Sequence, residues 1–175
     1  MNDGTILRSI QDTEKVYAVA LSPDNQILAS STGHNQVKLW RVEDGKLINT
    51  LEHPSWVSAV DFSPDGQILA AGGTDNIIRL WRVGDGELIR RLSAHDADAA
   101  GGAPYEVSGV TFSSDGQLLA SGNYDSTLKL WRVEDRTILS PILEHKPVVI
   151  GGDRSQVQGV VKWIDPGAVS ALSTQ

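Results

Sequence analysis

One stretch of sequence occurs three times in this chain, and its pattern limits what the chain can fold into. Residues 57–82 read VSAVDFSPDGQILAAGGTDNIIRLWR, and closely similar text stands at 16–41 and 107–132. Each copy alternates with period two, breaks at Ser-Pro-Asp or Ser-Ser-Asp, alternates again, breaks at a second polar turn, and runs to a Trp. Period-two runs divided by such turns are antiparallel strands, and Pro23 and Pro64 preset the backbone of the first turn.

A fourth strand belongs to each unit. DGTILRSI, DGKLINTL and DGELIRRL, at 3–10, 44–51 and 85–92, each join a turn to a short alternating run. The first precedes any complete unit, so Thr5 to Ile10 reads as the closing strand of a unit whose other strands lie elsewhere. Pro23 to Pro64, Trp40 to Trp81 and Leu51 to Leu92 each span 41 residues, whereas Trp81 to Trp131 spans 50, with the added residues confined to 96–106. Four short strands at this period cannot bury their own faces. They predict an all-β chain, a partial β-propeller of four-stranded antiparallel blades, about three and a half to four per chain. Residues 1–175 read as a single propeller segment: closing strand 5–10, repeat one 12–51, repeat two 53–92, repeat three 95–143 and a partial repeat four 145–175. In the last, VQGVVKW from Val157 echoes VSGVTF and DPGAVSALS echoes a turn plus second strand, while the third strand with its Trp is missing. The loops 95–106 and 145–156 share their length and a Gly-Gly pair, so both are expected on one face of the ring.

Composition narrows the function classes. A net charge of −7 sets the chain against phosphate backbones, so no nucleic-acid partner is expected. With no cysteine there is no disulfide, thiolate metal site or cysteine nucleophile, and the four histidines lack ligand spacing, so neither metal nor cofactor is expected. No apolar run approaches spanning length and the N-terminus lacks a signal pattern, which suggests a cytoplasmic protein without a membrane partner.

His95, Ser121, Asp125 and Trp131 in unit three invite a hydrolase reading, but no nucleophile elbow or oxyanion-donor pair accompanies them. Lys38, Arg79 and Lys129, with Arg41, Arg82 and Arg132, read as solvated strand-end charges offset by neighbouring acidic turns. The repeats resemble the WD-repeat β-propeller family, through a His ahead of the first strand, SPDG, LASG, an Asp six residues before Trp, and the Trp itself. They depart from it in one respect: Arg41, Arg82 and Arg132 follow each Trp where the family's name residue is Asp. The resemblance implies that His95, Ser121, Asp125 and Trp131 form a structural hydrogen-bonded tetrad, not a catalytic site. Unit two keeps His53, Asp75 and Trp81 but has Ala71 in place of the Ser, so its network must be shorter or use water. Unit one has Ser30 and Trp40, with Asp12 at the His position and His34 at the Asp position. Those two are either an exchanged pair or ordinary turn residues.

The resemblance also implies partner binding through the top face, at Lys15, Tyr17, Trp56, Ser58, Thr74, Glu106, Ser108, Tyr124, Gln156 and Gln158. Trp56 is the leading candidate, being either a partner anchor or packed under the neighbouring long loop, and Tyr105 is a weaker one. The expected function is a non-enzymatic scaffold presenting a rigid top face to a protein or peptide. The alternatives are a small-ligand binder or enzyme using the central funnel, where Asp61 and Glu106 are the available carboxylates, and a purely structural oligomer subunit. Three blades and a piece make about half a ring and leave faces exposed. Two chains closing a ring, a longer parent propeller, or a tight four-blade ring would each cover them. The first makes the chain a homo-oligomer in which Thr5 to Ile10 completes the blade begun by Val157 to Ser173 of its partner.

Overall fold

A computed structural model describes residues 5–94, 106–124 and 127–133, together with the strand course of 138–144. The fold is all-β. The first sheet holds β1 (Val16–Leu21), β2 (Ile27–Thr32), β3 (Gln36–Arg41) and β4 (Leu47–Glu52), paired in chain order and antiparallel. The second holds β5 (Val57–Phe62), β6 (Ile68–Gly73), β7 (Ile77–Arg82) and β8 (Leu88–Ser93), and the third β9 (Val107–Phe112), β10 (Leu118–Asn123), β11 (Thr127–Arg132) and β12 (Ile138–Glu144). These are three blades of a partial β-propeller. The partial fourth repeat and the loops 95–105 and 145–156 lie outside the described residues.

The turn between the first two strands of each blade is built by its own side chains. The Ser63 hydroxyl donates to Asp65 Oδ1 at 2.5 Å and accepts the Ile68 N–H at 2.9 Å, while Asp65 Oδ1 accepts the Gln67 N–H at 3.0 Å. Ser22 with Asp24, and Ser113 with Asp115, repeat this arrangement. The Ser hydroxyl first, then the backbone N–H, hold Asp24, Asp65 and Asp115 below the usual carboxylate range. Local bonds of this kind favour the turn over any competing structure.

Blades pack front to back, with the inner strands β1, β5 and β9 side by side. Ala29, Val37, Leu39 and Leu51 on the front of the first blade meet Val57, Val60, Phe62, Leu69 and Trp81 on the back of the second. Ala59, Ala70, Ile78, Leu80 and Leu92 on the front of the second meet Val107, Val110, Phe112, Leu119 and Trp131 of the third. Ala29 on one front, and Ala59 and Ala70 on the other, leave room for the larger back residues of the next blade, so one interlock is used twice.

The two junctions differ in polar ties. Between β5 and β9, Ser58 Oγ donates to the Val107 carbonyl at 2.7 Å, and the Phe112 N–H donates to Asp61 Oδ2 at 2.7 Å. Asn123 Nδ2 adds a buried bond to Asn76 Oδ1 at 3.0 Å, and Arg90 Nη1 donates to the Val133 carbonyl at 2.5 Å. In the first blade Tyr17 and Ala20 stand at the positions of Ser58 and Asp61 and cannot reproduce the inner-strand ties.

Thr5 to Ile10 forms no strand in this chain by itself, contrary to the alternation of its sequence. An outer strand needs the third strand of its own blade as a ladder partner, and none stands beside it among the described residues. The segment runs instead beside the β3–β4 turn, where Arg8 Nη2 donates to the Glu43 carbonyl at 2.6 Å.

Candidate partner-binding face

Each inner strand begins with the same irregularity. Val16 pairs with Thr32 and Ala18 with Ser31; Val57 with Gly73 and Ala59 with Gly72; Val107 with Asn123 and Gly109 with Gly122. Tyr17, Ser58 and Ser108 are therefore the extra residues of three equivalent β-bulges, which re-aim side chains at the sheet rim. Just above, the Gly33, Thr74 and Tyr124 N–H groups donate to the carbonyls of Lys15, Trp56 and Glu106 at 3.1, 3.0 and 3.2 Å. Lys15, Tyr17, Trp56, Ser58, Thr74, Glu106, Ser108 and Tyr124 thus share one edge of the three blades. Gln156, Gln158 and Tyr105 lie outside the described residues.

Trp56 and Tyr17 come from adjacent blades and stack, with ring centroids 5.9 Å apart and planes inclined by 21°. They remain 54% and 50% exposed, so the stack is a surface feature. Tyr17 lies over the second turn of its own blade, where a Cβ on Gly33 would sit 3.7 Å from Cε2. Gly73 lets the Trp56 backbone approach, since a Cβ there would fall 1.8 Å from the Trp56 carbonyl oxygen. Ser58 is committed to the Val107 carbonyl. The family resemblance set Tyr17 and Trp56 on one face but carried no sign that they touch, because the contact crosses a blade boundary.

The polar networks lie below this edge. Trp40 Nε1 donates to Ser30 Oγ at 2.8 Å and Trp131 Nε1 to Ser121 Oγ at 3.0 Å. His95 and Asp125 lie outside the described residues. In unit two Ala71 leaves Trp81 Nε1 and His53 Nε2 with no hydrogen-bond partner among the described residues. The His53 ring instead packs against Trp81 at 5.3 Å, tilted by 51°. Burial first, then the charge of Arg79, lower the His53 pKa to about 4, with Asp75 opposing.

One sequence reading needs correction, and one pair of alternatives is decided. Lys38 and Arg79 are not solvated charges. Lys38 Nζ lies 2.6 Å from Asp12 Oδ1, and Arg79 Nη2 lies 2.6 Å from Asp75 Oδ2, both cations being largely shielded from solvent. A signal was present: period two sets Lys38, Arg79 and Lys129 on the same side of their strands as Trp40, Trp81 and Trp131. The exposed Arg41 and Arg82 do pair with the turn acids Asp44, Asp85 and Glu87. Secondly, Asp12 and His34 make no exchanged pair. Asp12 is taken by Lys38, and His34 Nδ1 stands 3.3 Å from Glu14 Oε1. What is exchanged is the loop that supplies the acid to the third-strand cation, which precedes the blade in unit one and is the second turn in unit two.

Asp61, a candidate funnel carboxylate, is raised above the usual range by burial although it accepts from Phe112 and Thr111. Its hydrogen bonds tie two inner strands together. No group of three or more His, Cys, Asp or Glu suited to a metal occurs among the described residues.

No curated protein matches the chain. The family described as WD domain, G-beta repeat matches residues 4–41, 45–82 and 86–132, each match ending on the Trp-Arg that closes a third strand. Three matches covering most of the chain, laid over three four-stranded blades, place this chain in the WD domain, G-beta repeat family.

Proposed function

We propose that the chain is a non-enzymatic interaction module whose bulged blade edge presents the Tyr17–Trp56 stack to a protein or peptide, and that it works as a homo-oligomer. Repeats of this family generally mediate protein–protein scaffolding. The observation that carries the reading is the exposed aromatic pair, fixed by two bulges and by the bond from Thr74 N–H to the Trp56 carbonyl. Rigid, amphipathic rings lose little entropy on binding and dominate interface hot spots. The His, Ser, Asp and Trp side chains that suggest catalysis are occupied in packing within the blades wherever they are described.

Panning a random peptide library on the immobilised full chain, with the Trp56→Ala variant as counter-selection, tests the reading. Selected clones are expected to fail on the variant. Clones binding both proteins equally would place recognition elsewhere.

A further inference from the structure

The back of the first blade is a finished interface that nothing covers among the described residues. Val19 is 61% exposed, while Val60 and Val110 at the same repeat position are 9% and 8% exposed under the blade before them. Val16 and Leu21 are likewise open where Val57, Phe62, Val107 and Phe112 are buried, and Trp40 is half-buried where Trp81 and Trp131 are buried. The sequence supplies the residues of a blade-to-blade contact at a place where the described residues offer no blade.

The segment Thr5 to Ile10 marks how that place is laid out. A Cβ on Gly45 would lie 3.5 Å from Arg8 Cδ and 3.5 Å from Ile10 Cγ1. One repeat later, a Cβ on Gly86 would meet Asn49 and Leu51, the residues that correspond to Arg8 and Ile10. Each also reaches the turn beside it, one residue apart in the repeat: Arg8 donates to the Glu43 carbonyl and Asn49 to the Asp85 carbonyl. Asn49 and Leu51 belong to β4, the outer strand of the blade preceding the second. Thr5 to Ile10 therefore occupies the place of the outer strand of a blade preceding the first, and the family match beginning at residue 4 starts in the same phase of the repeat as those beginning at 45 and 86.

The rest of such a blade must bring inner strands with a small front. Ala18 with Ala29, Ala59 with Ala70, and Gly109 with Ala120 form these fronts in the three blades, and at the corresponding positions of 157–173 stand Gly159 and Ser170. Val157 and Val160 supply the matching back. As the successor of the third blade, 157–173 would set that back on its own chain, where Leu128 is exposed although Val37 and Ile78 at its position are fully buried. The front is left for another copy.

We propose that the uncovered back of the first blade docks residues 157–173 of a second copy of the chain, with Thr5 to Ile10 closing the shared blade as its outer strand. The exchange is mutual, so two copies satisfy each other and the assembly closes. The docking surface rests on the homo-oligomer reading and is independent of the Tyr17–Trp56 surface.

Sedimentation velocity and light scattering of the full chain at micromolar concentration provide the test. The wild type is expected at twice its 18.8 kDa mass. Val19→Glu, which leaves the free chain's exposed surface polar but would bury a charge in the shared blade, should halve that mass and keep the melting profile of the dilute wild type. Val160→Glu should halve it as well. A monomeric wild type overturns both the docking surface and the oligomer reading. A Val19→Glu protein that stays dimeric overturns the docking surface and leaves the oligomer reading standing. A dimeric Val160→Glu protein removes 157–173 as the occupant.

Discussion

Trp81 donates its indole N–H to nothing described because Ala71 stands where Ser30 and Ser121 accept from the other two tryptophans. Restoring the acceptor with Ala71→Ser should stabilise the protein by about 1 kcal/mol, and Ser121→Ala should cost about the same, both read from urea midpoints. The buried acid–cation pairs answer differently. Asp12→Ala strands Lys38, and Asp75→Ala strands Arg79, so each should cost about 3 kcal/mol, with Asp12→Ala/Lys38→Met recovering most of the loss. His53 carries a pH signature. Its folded pKa of about 4 lies below the ordinary 6.5, so its contribution is complete above pH 6.5 and is lost as pH falls from 6.5 to 4. The loss is on the order of 3 kcal/mol at most. His53→Gln should flatten that window. Asp61, raised by burial, contributes in the opposite sense and gives up stability as pH rises through its folded pKa. The sequence identified these residues but not their partners, because a network is decided by which loop reaches a cation first. Asp12 precedes its blade and Asp75 sits in the second turn, yet both end on the same strand position.

At the scale of strands and blades the sequence was far more legible. Turn residues and period-two alternation predicted four strands per blade in the order found, since side-chain bonds such as Ser63 to Asp65 fix each turn locally. Thr5 to Ile10, read as the closing strand of a unit whose other strands lie elsewhere, has no ladder among the described residues of the single chain, because a strand is a property of its neighbour as much as of its own residues. The unequal strength of the blade junctions was not apparent. The second and third blades share ties through Ser58, Asp61 and Asn123, while β1 lies open and lacks the inner-strand pair. Native-state hydrogen exchange of the dilute chain should therefore show β1 amides opening at lower free energy than those of β5 and β9. Uniform protection across the three inner strands would contradict it. Gly73→Ala, by forcing a Cβ against the Trp56 carbonyl, should disturb the bulge and the aromatic stack together.

For the molecule as a whole, the repeat serves two ends with one residue type. Trp81 is buried between blades and serves their cohesion, and Trp56, in the same repeat, stands exposed against Tyr17, where recognition is proposed. The division follows from where each lies on the blade: one on a covered face, the other above a bulge at the rim. The measurement that tests this most directly pairs thermal unfolding with calorimetric titration of a panned peptide for Trp56→Ala and Trp81→Ala. Trp56→Ala should keep the wild-type melting temperature and lose about 30-fold in affinity, the equivalent of a hot-spot residue of about 2 kcal/mol. Trp81→Ala should lower the melting temperature sharply. A Trp56→Ala protein that binds with wild-type affinity, or one that unfolds as readily as Trp81→Ala, would contradict the account.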